Sequence, residues 1–191
     1  MERVRDQINS VFKQLSGDFV VPKNAYEKNF CDILGWLNLN GRYYDAYNTN
    51  TYIEIKKGQG GMHFDMVRYA EIVLGTGAQN TATVFFKWNK IRKCVDEAYV
   101  IDTNDLIKFL RIDEEMAKLY LKIYNHVPRG VNILASATAR DLREIATHVI
   151  TKDGIKFKHP LIIRLRRSRR GLYEFDETSD SSAWPLDVYI F

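Results

Sequence analysis

Apolar residues recur at helical spacing along much of the chain, and this pattern predicts five helices. The clearest stripe lies near the amino terminus, where Val4, Ile8 and Leu15 fall on one face of a helix that ends before Gly17. The predicted helices cover residues 3–15, about 24–40, 64–74, about 102–124 and about 138–149. The stripe of the first helix fits either burial in the core or contact with a second subunit.

Alternating apolar and polar residues predict extended segments between these helices. Two form a hairpin around the polar corner Asn-Thr-Asn at residues 48–50, and two more meet at an Asn-Lys turn at residues 89–90. The predicted strands cover residues 42–48, 51–57, 81–88, 91–101, 155–167 and 184–191. Together the elements predict one α/β or α+β domain, residues 1–191, with a mixed central β-sheet flanked by helices.

Length and composition fit a chain that folds alone, with 191 residues of which 46% are apolar. No apolar run approaches the roughly 18 residues of a membrane span, and residues 1–10 lack the apolar centre of a signal peptide. We therefore expect a cytoplasmic protein without a membrane partner. Cys31 and Cys94 lack metal-type spacing and are expected to be reduced core residues.

The positive charge is concentrated near the carboxyl terminus. The net charge is +4, but residues 156–170 contain seven Lys or Arg and no acid, whereas residues 171–191 contain five acids and no Lys or Arg. Arg164 and Arg166 are predicted on one strand face, next to a turn with Arg167, Arg169 and Arg170. Clustered arginines repel each other without an anion, so we expect these five to contact phosphate or guanine.

The first hairpin carries two carboxylates and an ammonium close together. In a strand with period two, Glu54 and Lys56 share one face and Ile53 the opposite, buried face. A two-residue turn at Thr49–Asn50 would place Asp45 opposite Glu54, whereas a three-residue turn would pair Asp45 with Ile53 and point it away. The sequence leaves both registers open, since the turn is not Asn-Gly.

Facing carboxylates repel each other unless a cation lies between them, and a divalent ion would provide one. Magnesium takes oxygen ligands from one or two carboxylates, waters and substrate phosphates, and Lys56 would then stand beside the attacking water. That combination is suited to phosphodiester hydrolysis. The alternative is the polar outer face of an edge hairpin, where Lys56 simply neutralises Glu54, because a Glu-x-Lys triplet is common by chance.

Asp45, Glu54 and Lys56 resemble the motif of the PD-(D/E)XK nuclease superfamily, in which an acid ends one strand and Glu-x-Lys follows on the next. Glu27 is the candidate for the acid carried on the preceding helix, and Tyr44 stands where the motif has proline. The order of elements over residues 24–101 resembles the restriction-endonuclease-like core. Spacing and size are most similar to small dimeric type II restriction endonucleases.

The resemblance implies Mg²⁺ held by Asp45, Glu54 and the carbonyl of Ile55, with Lys56 at the attacking water. It also implies cleavage of short sites in double-stranded DNA to 5′-phosphate ends by a homodimer, and a DNA methyltransferase that protects the host. Residues 1–23 would contribute to dimerisation, residues 24–101 would form the catalytic core, and residues 102–191 would carry the basic DNA-contact segment.

The glycine-rich segment after the motif is a second candidate for DNA contact. Its glycines let the backbone approach a duplex, Gln59 can pair with adenine, and Lys57 or His63 can reach a phosphate or a guanine. Two alternatives to a restriction enzyme remain open. One is a structure-selective nuclease similar to Holliday-junction resolvases, and the other is a non-catalytic basic DNA-binding module.

Overall fold

A computed structural model describes residues 1–17, 25–39, 41, 43–126, 133–157, 164–167 and 173–176. The chain divides into two units, Met1–Lys158 and His159–Phe191. Helices described in the first unit are α1 (Glu2–Leu15), α2 (Tyr26–Leu34), α3 (Met66–Val73), α4 (Thr103–Phe109), α5 (Glu114–Tyr124) and α6 (Ala139–Ile145). Strands described there are β1 (Leu37–Asn38), β2 (Ala46–Asn48), β3 (Thr51–Gly58), β4 (Gly61–Asp65), β5 (Thr81–Asn89), β6 (Cys94–Asp102), β7 (Leu134–Thr138), β8 (His148–Thr151) and β9 (Gly154–Phe157).

The central sheet of the first unit is mixed. Its described strands lie in the order β1-β2-β3-β5-β6-β8-β9, and all neighbours are antiparallel except β3 and β5. The parallel pair is connected through β4 and α3, and β4 pairs with β7 in a separate two-stranded sheet. The prediction of an α+β class with a mixed central sheet is confirmed.

Helices cover both faces of this sheet. On one face, α1 and α2 pack on a core that contains Ile53 and Ile55. On the other face, α3 to α6 pack on the sheet and form a separate hydrophobic core. Its buried residues include Phe85, Tyr99, Tyr69, Leu106, Ala117 and Leu142. The apolar stripe of α1 is therefore buried in the core, with Val4 and Ile8 almost inaccessible to solvent.

The hairpin of β2 and β3 has the two-residue turn. Asn48 pairs with Thr51 and Ala46 with Ile53, and Thr49 takes the positive φ of 59° that such a turn requires at its first central position. The two-residue turn is therefore formed, but the paired register ends at Ala46 and Ile53. The N–H of Asp45 donates to the carbonyl of Ile53 instead of continuing the ladder opposite Glu54. Strand β3 lies between β2 and β5 and Glu54 is buried, so the expectation of an exposed edge hairpin is wrong. The other part of that alternative, a contact of Lys56 with Glu54, is present.

Three predicted helices differ from their apolar patterns, two by ending earlier and one by being broken into two helices. Helix α2 ends at Leu34 because Gly35 adopts a left-handed conformation (φ 65°), which leaves Leu37 in β1 and 62% exposed. The predicted helix over residues 102–124 is two helices, broken where Arg111 has φ 53°. Thr138 caps α6 as predicted, but that helix ends at Ile145 and β8 follows.

The strand predictions differ in three places. The strands β4 and β7 were not predicted, because their sequences are short and rich in glycine, alanine and serine. The turn between β5 and β6 is longer than Asn89–Lys90, and Ile91, placed in a strand by the pattern, is 92% exposed in that turn. The predicted strand over residues 155–167 corresponds to β9 and β10, with residues 158–163 between them outside the described part of the chain.

In the second unit, β10 (Arg164–Arg167) and β11 (Tyr173–Asp176) form an antiparallel pair. Its register places Arg164 opposite Asp176 and Arg166 opposite Glu174. The acids that follow the basic segment in sequence thus lie across the ladder from two of its arginines. Arg169, Arg170 and the predicted strand at residues 184–191 lie outside the described residues.

Across the described residues, we find no helix with the length and apolar character needed to cross a membrane.

Candidate active site

Asp45 lies just before β2, and its carboxylate reaches the neighbouring strand. Its Oδ2 accepts a hydrogen bond of 2.6 Å from the N–H of Ile55, and its own N–H donates to the carbonyl of Ile53 at 3.0 Å. Leu39 and Asn38 both donate to its main-chain carbonyl, which fixes the backbone here. Because the N–H and C=O of one strand residue point to the same side, the Ile55 carbonyl lies at the edge of β3 that Asp45 occupies.

Glu54 is buried and surrounded by donors. Its Oε2 accepts from Nη1 of Arg68, from the hydroxyl of Tyr69 at 3.1 Å and from the hydroxyl of Thr83 at 3.4 Å. Only 5% of the residue is exposed, so the expected open chemical face of β3 is instead covered by α3. Burial alone would raise the pKa of Glu54, but Arg68 and Lys56 lower it, and the carboxylate stays ionised.

Lys56 contacts the other oxygen of this carboxylate. Its Nζ lies 2.9 Å from Oε1 of Glu54, and its side chain is 30% exposed. Burial alone would lower the pKa of Lys56, but Glu54 and then Asp45 more than offset that effect and raise it. Lys56 is therefore an ammonium that faces solvent beside two carboxylates, suited to hold a water or a phosphate oxygen rather than to accept a proton.

Asp45 is the carboxylate of the site with the least compensation. Burial raises its pKa to about 6, the hydrogen bond from Ile55 and the charge of Lys56 act in the opposite direction, and Glu54 and Glu27 raise it further. Glu54 has two cationic partners, whereas no cation among the described residues forms an ion pair with Asp45, and Lys56 acts on it from a greater distance. Such a carboxylate would be stabilised by an added cation.

Glu27, the predicted helix acid, lies in the first turn of α2. It lines a pocket together with Asn38, Gly41 and Asp45. The structure therefore brings Glu27 to the same pocket as Asp45.

These residues fit a magnesium ion in their donor chemistry. In the part of the chain that the structure describes, no three or more Asp, Glu, His or Cys residues form a metal-holding group. The predicted ligand set contains only two carboxylates, those of Asp45 and Glu54. Two are enough, because magnesium needs only one or two protein carboxylates and completes its shell with water and phosphate oxygens. Asp45 supplies an undercompensated carboxylate, and Glu54 supplies Oε1, which it shares with Lys56.

The residues of the glycine-rich segment are placed differently from one another. The Nζ of Lys57 lies over the rings of Tyr26 and Trp88, 5.1 and 4.8 Å from their centres, whereas Lys56 contacts Glu54. Gln59 is exposed in the turn between β3 and β4. His63 is exposed on β4, where its Nδ1 is 2.8 Å from the hydroxyl of Ser136 on β7.

The sequence interpretation missed Arg68, Tyr69 and Thr83. A signal for Arg68 existed, because it is a single cation within the apolar run of α3, between Val67 and Tyr69. Lone charges in such runs are buried only with a partner. The packing of the whole sheet determines which strand lies beneath α3. The apolar pattern of the helix alone therefore does not identify Glu54 as the partner of Arg68.

A comparison of the chain with family models, with curated proteins and with solved structures finds no match, so the site is interpreted from its own residues.

Proposed function

We propose that this protein is a magnesium-dependent endonuclease that hydrolyses phosphodiester bonds in double-stranded DNA and leaves 5′-phosphate ends. One observation carries the proposal: Glu54 and Lys56 are joined at 2.9 Å on β3, and the partly buried carboxylate of Asp45 reaches the same strand through the N–H of Ile55. The parallel step from β3 to β5 through α3 supports a restriction-endonuclease-like core.

Each side chain has a part in this chemistry. Bound magnesium would polarise the scissile phosphate and lower the pKa of a water bound to it. Asp45 and Oε1 of Glu54 would hold the ion, and Glu27 adds negative charge to the same pocket. Lys56 stays protonated and orients the attacking water while its charge offsets the negative charge that develops on the phosphate.

The proposed substrate is a short duplex site, cut by a homodimer whose two-fold axis matches that of the DNA. The net charge of +4 favours a polyanion, and Gln59 and His63 are exposed close after the motif. As a type II restriction enzyme it would be paired with a DNA methyltransferase.

A non-catalytic DNA-binding module is the second candidate, and one observation favours it. Glu54 is already neutralised by Arg68 and Lys56, as expected for an ion pair that only stabilises the fold. A cleavage assay distinguishes the two candidates, because the module would bind duplex DNA without cutting it in Mg²⁺ or Mn²⁺.

The deciding experiment compares the wild type with Lys56→Ala on mixed-sequence plasmid and phage DNA in Mg²⁺. We expect cleavage to fall at least about a hundredfold, because a preorganised charge at the reacting phosphate is lost, while binding measured in Ca²⁺ is kept. Lys118→Ala removes a lysine from an exposed ion pair on α5 and serves as the control. Equal cleavage by Lys56→Ala and the wild type would refute the site.

The fragments identify the type of nuclease. Discrete bands from plasmid and phage DNA support a site-specific enzyme, whereas cutting of branched DNA alone supports a resolvase. Binding without any cleavage by the wild type supports the non-catalytic module.

A further inference from the structure

Three donors enclose one oxygen of Glu54. Nη1 of Arg68 and the hydroxyls of Tyr69 and Thr83 all point to Oε2, and we call these three residues the Glu54 clamp. Oε1 contacts Lys56, whose side chain reaches solvent. The two oxygens of this carboxylate thus have different surroundings, one enclosed by the protein and one turned towards the site.

Arg68 is held in this position by the fold. Asp65 caps α3 through a hydrogen bond of 3.0 Å from the N–H of Val67, which sets Arg68 in the first turn of the helix. The guanidinium carbon lies 4.7 Å from the ring centre of Tyr44 and 4.9 Å from that of Tyr69. Only 1% of Arg68 is exposed, so it does not reach a substrate itself.

The arrangement is a costly way to stabilise a fold. A cation in the first turn of a helix opposes the helix dipole, and a buried ion pair is often no more stable than apolar residues of equal volume. In addition, Nε and Nη2 of Arg68 make no hydrogen bond of good geometry with the described residues, although Tyr44 is close enough to interact electrostatically. These features favour a role for Arg68 in the site over a role in stability alone.

We propose that Arg68 is a positioning residue that withholds Oε2 of Glu54 from metal, so that the site takes one divalent cation per chain, through Oε1 and Asp45. The inference rests on the proposed function. With Oε2 enclosed, Glu54 cannot bridge two ions, and Lys56 and the metal are brought to the same oxygen. The positive charge of Arg68 also weakens the attraction of the site for a cation, while its contact with Glu54 fixes the position of that carboxylate.

The test is a titration with Mn²⁺ alone, followed by electron paramagnetic resonance, together with cleavage rates. The wild type is expected to bind one ion per chain. Arg68→Met should bind Mn²⁺ about tenfold tighter, because a buried positive charge beside the carboxylates is removed. Its cleavage should nevertheless fall about a hundredfold, because Glu54 is no longer fixed. Arg68→Lys, which keeps the charge, should return Mn²⁺ affinity to within about threefold of the wild type.

Two further measurements apply if Arg68→Met does not fold. Tyr69→Phe removes one clamp hydrogen bond and keeps the ring, and should tighten Mn²⁺ binding about threefold. In metal-free wild type, nitrogen-15 spectra should show one arginine side chain with slowed rotation, absent in Glu54→Gln. Arg92→Met, which removes a surface arginine paired with Asp96, is the control and should change neither affinity nor cleavage.

The outcomes separate the two proposals. A wild type that binds no Mn²⁺ would overturn the proposed function, and the metal-directed role of Arg68 with it. A wild type that binds one ion, with affinity unchanged in Arg68→Met, would overturn the role of Arg68 alone. If Arg68→Met does not fold, unchanged affinity in Tyr69→Phe together with no slowed arginine would do the same. Two ions per wild-type chain would also overturn it while leaving the nuclease proposal intact.

Discussion

The carboxylate of Asp45 accepts a hydrogen bond of 2.6 Å from the backbone N–H of Ile55, which ties the residue before β2 to the middle of β3. This contact holds a carboxylate in a partly buried pocket next to Glu27 and near Glu54. The fold thus keeps a negative charge where burial and like charges both disfavour it. An ionised carboxylate in such unfavourable surroundings is expected at a site that binds a cation.

The first prediction concerns stability and pH. Burial raises the pKa of Asp45 from 3.8 to about 6, so the folded state binds this proton more tightly than the unfolded chain. Its contribution to stability is therefore complete below about pH 4 and is lost as pH rises through about 6. Asp45→Asn, which can still accept from Ile55, should be more stable than the wild type at about pH 7.5 by up to about 3 kcal/mol.

The measurement is urea unfolding of both proteins between about pH 4 and pH 8 without divalent ions. The stability difference should widen as pH rises, and Mg²⁺ should narrow it by stabilising the wild type alone. Asp32→Asn, at an exposed position of α2, is the matched control and should follow the wild type. A difference that stays constant with pH would contradict the effect assigned to Asp45.

Local patterns predicted the strand that carries the site. The alternation from Ile53 to Lys56 defined its faces, and the turn limited its register to two possibilities. The pattern did not predict that the polar face would be buried, because helix α3 covers it and comes from a later part of the chain. The partners of Glu54 are therefore tertiary, and a pattern along one strand cannot contain them.

The prediction of one continuous helix over residues 102–124 was wrong for a different reason. Its apolar spacing continues through residues 110–113 without glycine or proline, and the break depends on Arg111 in a left-handed conformation. Ile112 is buried at this break and fixes the change of direction. Packing here overrides local preference, which sequence periodicity does not report.

The second prediction concerns the turn that sets the register of Asp45. Thr49 has φ 59°, which is unfavourable for a β-branched residue, whereas Asn50 does not have a positive φ. Thr49→Gly should therefore raise the free energy of unfolding by about 1 kcal/mol. Asn50→Gly, at the neighbouring position, should lower it by about 0.5–1 kcal/mol, because glycine only adds freedom to the unfolded chain.

Urea unfolding measures both variants, and cleavage assays check that Thr49→Gly keeps the wild-type rate. Equal effects of glycine at the two positions would contradict the turn geometry. A loss of cleavage in a stabilised Thr49→Gly protein would show that the register of Asp45 depends on the threonine itself.

The third prediction concerns the coupling of Glu54 and Arg68. Glu54→Gln removes the negative charge from a buried guanidinium that is 1% exposed, so the free energy of unfolding should fall by about 3–5 kcal/mol. Arg68→Met leaves Glu54 with Lys56 as its cationic partner and should also destabilise. The double variant removes both charges and should be more stable than the sum of the single effects predicts, by about 2–3 kcal/mol.

A double-mutant cycle in urea at neutral pH measures this coupling, and the surface pair Arg92 and Asp96 provides the control cycle. That pair joins Arg92, in the turn between β5 and β6, to Asp96 on β6, with the arginine side chain 63% exposed, so its coupling should stay below about 1 kcal/mol. The contrast between the cycles isolates burial as the cause, because both pairs join an arginine to a carboxylate. Additive effects at Glu54 and Arg68 would mean that the two side chains do not depend on each other, and Arg68 could not then hold the carboxylate in place.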